Sequence, residues 1–368
     1  MKPESEKSRY LEEDELLWVD MEKELKEFRL KVQFSCRRER VGILGPSGSG
    51  KSMTLKSIAG IVSPDSGRIL LRMPGNQGEK PRTAELFSRE KKINLKPQRR
   101  RVGYLFQNYA LFPNMTVEEN IQAGLGKKGD QKLLADFIRR FRLEGLQKRY
   151  PSQLSGGQQQ RTALARILAN QPAALLLDEP FSALDGYLRE ELRMELSSAL
   201  RDFEGPVVLV THDREEAYQL CSRLVLMDKG KVLAEGPARE VFSRPKTCQA
   251  ARLTGCRNIS RIRRISPWKV EALDWNGLVL ETAEKAGGDV KAVGIRTQDL
   301  TPVSDGLGVN RIPVKHPRME EMPFSWQICL ENGIWWEMKK QGWRGPETLE
   351  LPEWLYVDPA AVLLLQGE

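Results

Sequence analysis

Residues 45–52, Gly45-Pro46-Ser47-Gly48-Ser49-Gly50-Lys51-Ser52, fit G-x-x-x-x-G-K-[ST] at every position. Glycines at these places let the backbone curl until successive N–H groups converge on phosphate oxygens. Lys51 can reach the β- and γ-phosphates of a nucleoside triphosphate, and the Ser52 hydroxyl can ligate Mg²⁺. A dinucleotide fingerprint is the rival reading, but the glycines run G-x-x-G-x-G instead of G-x-G-x-x-G. A hydrolytic site also needs acids. The apolar run Leu175-Leu176-Leu177 ends in Asp178 and Glu179. Asp178 is placed to hold the metal, directly or through water, and Glu179 to polarise an attacking water. Such a pair could merely cap a helix; the upstream loop favours chemistry.

A second glycine-bearing loop, Leu154-Ser155-Gly156-Gly157-Gln158, stands just before the apolar helical face Ala163, Leu164, Ile167 and Leu168. Glycines at a helix N-terminus make a second anion site, and a plain N-cap is the simpler alternative. The remaining candidate chemistry is thin. Five cysteines without C-x-x-C spacing read as small buried hydrophobes, not as a zinc or disulfide framework. Two histidines, His212 and His316, are too few for a histidine-rich metal centre.

These residues need an α/β scaffold, and the chain supplies one up to about residue 245. Val41–Leu44 reads as a buried strand before the glycine loop, and Leu55, Ile58, Ala59 and Val62 line one face of the helix after it. Leu133, Leu134, Phe137, Ile138 and Phe141 line another helix, and 175–177 and 207–210 are short buried strands. Alternating strands and helices predict a largely parallel sheet. After Gly255 the pattern changes. Seven of the eight tryptophans lie there, with Asn276-Gly277 and Asn332-Gly333 between alternating apolar runs. Asn-Gly in that setting predicts type I′ hairpins, hence a small antiparallel β-barrel whose tryptophans serve mainly as core. The expected plan is a charged tail over 1–14, an α/β domain over 15–245, a linker over 246–260 and a β-barrel over 261–368.

Composition agrees with a globular protein: 40% hydrophobic and 29% charged residues in 368. No apolar run is long enough to span a bilayer, and the charged N-terminus does not resemble a secretion signal. The expectation is an intracellular protein with at most a peripheral membrane role. Net charge is +8, yet residues from 251 onward carry 15 basic and 16 acidic side chains, so the excess is N-terminal. Its densest cluster, Lys96–Arg101, reads as a solvated face.

The order of these motifs resembles the ATP-binding subunit of an ABC transporter. Residues 45–52 match its Walker A loop, Gln107 its Q-loop, Leu154–Gln158 its LSGGQ signature, and Asp178 with Glu179 its Walker B motif and adjoining glutamate. Ser182 and Asp185 match its D-loop, and His212 its switch histidine. The resemblance implies a P-loop NTPase domain with a helical subdomain near 108–170. It implies a head-to-tail pair of such subunits, in which Ser155, Gly156, Gly157 and Gln158 meet the γ-phosphate held by the partner. Gln107, with Ser52 and Asp178, would attend the Mg²⁺ ion, and His212 would sense the γ-phosphate. Family members stack adenine on an upstream aromatic residue; that place holds Leu25, and Phe28 is the substitute.

A single ATPase domain followed by a β domain resembles importer ATPases with a TOBE domain, an OB-like module. Gln98–Met115 and Thr254–Ser260 are closest to the sulfate/molybdate branch. That resemblance implies two membrane permease subunits, a substrate-binding protein, a place on the cytoplasmic membrane face, and an oxyanion ligand on the C-terminal domain. Iron, polyamine and sugar importers share the plan. Nucleic-acid ATPases of this family fit poorly: they carry two ATPase domains or a long coiled coil, and only 127 positions separate Lys51 from Asp178. The segment 108–117, with Phe112, is the expected groove for a permease helix; core packing of Phe112 is the alternative.

Overall fold

The computed structural model describes residues 11–75, 80–126, 130–182, 186–340 and 350–367, with only the backbone at 186–188. The chain divides into two compact units, Met1–Arg239 and Glu240–Glu368. Residues 246–260, expected to be a linker, instead carry the helix Cys248–Leu253 and the first residues of a strand, Asn258–Ser266. Of the expected tail over 1–14, Leu11 belongs to the fold, buried with Trp18 and Leu70.

In the first unit the strands are β1 (Leu17–Glu24), β2 (Arg29–Cys36), β3 (Arg40–Leu44), β4 (Ser66–Met73), β5 (Arg82–Ser88), β6 (Ile93–Asn94), β7 (Val102–Leu105), β8 (Ala174–Asp178), β9 (Val207–Thr211), β10 (Arg223–Asp228) and β11 (Lys231–Pro237). They form one sheet in the order β6-β5-β4-β1-β2-β11-β10-β3-β9-β8-β7. From β10 to β7 neighbours are parallel, whereas β1, β2, β4, β5 and β6 make an antiparallel wing. Every residue of β8 and β9 is buried, as strands covered on both faces require. The helices are α1 (Lys51–Ala59), α2 (Val117–Leu125), α3 (Gln131–Arg140), α4 (Gly156–Ala169), α5 (Gly186–Ala199) and α6 (Arg214–Leu220). α1 lies against β8 and β9, and α2, α3 and α4 pack on one another. On α3 the expected apolar face is buried at Leu134, Ile138 and Phe141, but Leu133 is exposed.

Register explains the placement of the site. Leu44 pairs with Thr211, Val210 with Asp178, and Leu177 with Leu105, so four parallel strands end side by side. The segments leaving these strand ends therefore share one edge of the sheet: the glycine loop, His212, Glu179 and Gln107.

Arg100 corrects the expectation of a solvated basic face. Its side chain is fully buried, donating to Leu95 O, Ser57 O, Ile58 O and Asn94 Oδ1. The guanidinium thus adds donors at the C-terminal turn of α1, where Ser57 O also accepts from Gly60 N. Burial lowers its pKa to about 10. Gly60, at φ 79°, ends the helix in a left-handed conformation, and a Cβ there would stand 2.4 Å from Arg100 Nε.

The second unit is all β apart from short helical pieces. Its strands form a five-stranded sheet and two three-stranded sheets among the described residues, over one core that includes Trp275, Trp326 and Trp336. Not every tryptophan is core. Trp268 is exposed, Trp335 lies under the Arg257 guanidinium at 3.4 Å, and Trp343 falls outside the described residues. Asn276 and Gly277 both have positive φ, but they close the connection 273–277 behind a 3-10 turn at Leu273–Trp275, with Ala272 paired to Leu278, so the expected two-residue type I′ hairpin does not form; at the second pair only Gly333 has positive φ. There Gly333 N donates to Leu330 O and Leu330 N to Ile334 O, closing a turn with one left-handed glycine.

Candidate active site

The phosphate loop leaves β3 at Gly45, where a Cβ would stand 2.1 Å from Met227 O. Only glycine allows that approach. Gly48 and Gly50 take φ of 80° and 101°, turning the backbone into the first turn of α1. Gly230 N donates to Ser49 O, tying the loop to the turn between β10 and β11. Lys51 is buried, and its Nζ donates to Pro46 O at 2.9 Å, closing the loop on itself. Burial lowers the pKa of Lys51, opposed by Glu179 and Asp178. Ser49 Oγ is buried without a partner, an orphaned hydroxyl in the wall of the loop. A cradle that excludes Cβ atoms, a closely held ammonium and an unpaired hydroxyl all suit a polyphosphate.

At the metal position, Ser52 Oγ donates to Asp178 Oδ1 at 2.7 Å. Hydroxyl and carboxylate are hard oxygen donors, and Mg²⁺ characteristically takes few protein ligands and completes its shell with phosphates and water. Among the described residues no group of three or more His, Cys, Asp or Glu gathers elsewhere into a metal cage. The residues present fit Mg²⁺ carried with a nucleotide.

Glu179 sits past the end of β8 at φ 45°, a left-handed conformation rare for a non-glycine residue. Its N–H donates to Val210 O, and its carbonyl accepts from Ser182 Oγ at 3.0 Å. Held there, Glu179 Oε2 stands 3.4 Å from His212 Nδ1. The histidine is half exposed while the carboxylate is mostly covered. His212 is positioned from behind: Thr211 Oγ1 donates to buried Glu216 at 2.6 Å and accepts from Asp213 N at 2.9 Å. Burial raises the Glu216 pKa, although the Thr211 bond opposes it.

The other expected residues divide. Gln107 is exposed two residues beyond β7. Ser155 caps α4, with its Oγ accepting from Gln158 N and Gln158 Oε1 accepting from Ser155 N. The simpler reading of the glycine loop as a cap thus holds for those side chains, while Gly156 and Gly157 open the helix. Asp185 lies outside the described residues. Phe28 packs beside the loop: a Cβ at Gly230 would stand 2.4 Å from its Cδ2, and one at Gly50 3.5 Å from its Cε2. Phe112 is exposed, not core, with Arg166 4.8 Å over its ring. Arg166 also donates to Ala110 O, and Asn120 bridges Phe112 N and O, fixing a loop in which Tyr109 and Ala110 are both left-handed.

Sequence reasoning missed Tyr104, whose hydroxyl donates to Asp178 Oδ2 at 2.8 Å. Strand pairing was the missing signal. Tyr104 pairs with Leu176, two residues before Asp178, which puts all three on one face.

Residues 29–182 match the family model described as ABC transporter. The molybdate/tungstate import ATP-binding protein of Pyrococcus horikoshii is 38% identical over 305 residues, covering 81% of this chain and 82% of that protein. The chain belongs to the ABC transporter family, as an import ATP-binding subunit. This ABC subunit is also 43% identical over 218 residues to the sulfate/thiosulfate import ATP-binding protein of Halalkalibacterium halodurans, covering 57% of each. Among solved structures, cbiO1 of Clostridium perfringens, described as part of the ABC transporter complex cbiONQ, has a TM-score of 0.51. It is 26% identical, over 62% of the ABC subunit and 91% of its own chain. The subunit is an ATPase coupled to import, and no described helix is long and apolar enough to cross a membrane.

Proposed function

We propose that this ATPase energises uptake of a tetrahedral oxyanion, molybdate or tungstate, through membrane subunits it contacts at the cytoplasmic face. One observation carries the substrate assignment. The similarity to the molybdate/tungstate protein runs over 305 residues, more than the 239 of the first unit, so it extends into the β unit. The likeness to the sulfate protein spans 218 residues, less than the ATPase unit alone.

In this reading the loop N–H groups, Lys51 and Ser49 hold the β- and γ-phosphates of ATP. Ser52 and Asp178 hold Mg²⁺, which when bound neutralises charge on those phosphates. Glu179 orients a water in line with the γ-phosphorus and takes its proton as the bond to ADP breaks. His212, beside Glu179, accompanies the γ-phosphate. Ser155, Gly156, Gly157 and Gln158 act on the ATP of a second copy, where the N–H groups opening α4 offer an anion site. Gln107 and Asp185 complete the pair. Phe112 and Met115, exposed beyond Gln107, offer an apolar surface for a helix of a permease subunit. A substrate-binding protein supplies the anion on the far side, and the β unit is the place for a regulatory oxyanion.

Uptake of labelled molybdate and labelled sulfate, in cells whose sole copy carries Glu179→Gln, tests this directly. Loss of molybdate uptake with sulfate uptake intact is the expected result. Unchanged molybdate uptake would overturn the assignment and turn attention to other importer substrates.

A further inference from the structure

We propose that Tyr104 is a positioning residue for the metal-binding carboxylate, linking the strand that leads to Gln107 with the ion's site. Asp178 has two carboxylate oxygens, and each receives one hydroxyl: Ser52 on Oδ1 at 2.7 Å and Tyr104 on Oδ2 at 2.8 Å. Two donors on two oxygens fix the plane of the carboxylate as well as its place. The lone pairs left over face a single set of directions, which is what a metal-bound water needs from its acceptor.

Tyr104 is itself held. It is half-buried, packs against the core beneath the phosphate loop, and has the Phe106 ring 4.4 Å from its own. Its neighbours in sequence matter too. Arg100, two residues before β7, clamps the C-terminal turn of α1, and Tyr104 reaches Ser52 at the other end of α1 through Asp178. β7 is thereby fastened to both ends of the helix that carries the phosphate loop, and Gln107 follows three residues after Tyr104. A displacement at Gln107 moves the carboxylate through this hydroxyl.

The inference rests on the nucleotide–Mg²⁺ reading of the site, and Tyr104→Phe tests it by removing one oxygen and no ring. Mn²⁺, as a stand-in for Mg²⁺, is titrated into the full chain loaded with ADP, with free Mn²⁺ read by electron paramagnetic resonance. ADP affinity is measured separately in EDTA. The expected result is Mn²⁺ binding about tenfold weaker in Tyr104→Phe, with ADP affinity in EDTA unchanged. ATP turnover should return toward the native kcat when metal is raised by the same factor. Equal Mn²⁺ affinity in the two proteins would overturn the proposal. So would a parallel loss of ADP affinity in EDTA, because the hydroxyl would then hold the loop and not the carboxylate. Mn²⁺ binding to the ADP form involves no turnover, so a native chain that failed to hydrolyse ATP would count against the ATPase alone.

Discussion

At the scale of single residues, the site is a set of groups kept in unfavourable states by their neighbours. Lys51 is a buried cation bonded to a backbone carbonyl, and Glu179 is a carboxylate on a left-handed backbone. Both costs are met by the surrounding fold. Replacing Lys51 with Ala removes the ammonium that faces the phosphates and the countercharge to Asp178 and Glu179. ATP affinity should fall by about 100-fold or more, the loss of several charge-assisted bonds. A filter-binding or calorimetric titration checks it, and unchanged affinity would refute the cradle. Most of these residues were legible in the sequence, because each motif prescribes residue type and spacing together. Tyr104 and Glu216 were not, since their roles depend on which strands and turns become neighbours.

At the scale of elements, α1 is gripped at both ends, and its C-terminal grip was misjudged from sequence. Lys96–Arg101 looked like a solvated basic run, but the chain turns there so that Arg100 alone points inward. Composition cannot reveal which member of a charged cluster faces a helix terminus. Gly60→Ala should destabilise the chain by about 2–4 kcal/mol, combining a left-handed backbone with a collision at Arg100. Arg100→Met, which takes the guanidinium from the Ser57, Ile58 and Leu95 carbonyls, should cost a similar amount. Denaturant unfolding of the full chain measures both; a loss under about 0.5 kcal/mol in each would show that the clamp is idle. The Asn-Gly turns carry a related lesson. The dipeptide marked both strand reversals, but neither is a two-residue loop: Ala272 pairs with Leu278 across the first and Cys329 with Trp335 across the second.

At the scale of the molecule, the division into an ATPase unit and a β unit was readable from the change in residue pattern near Gly255. Its position was not. The boundary falls after Arg239, because the Cys248–Leu253 helix packs into the β unit, with Cys248 and Ala251 against Ala292 and Leu365. A helical turn of small residues looks like a connector until its partner strands are known. The central claim is that Glu179, at the shared edge of four parallel strands, drives hydrolysis of the ATP held by residues 45–52. The most direct measurement is ATP turnover by Glu179→Gln beside the native chain, with ATP affinity measured in both. Turnover should drop by about 10²–10⁴-fold while ATP affinity is retained. Native turnover in Glu179→Gln would contradict the account.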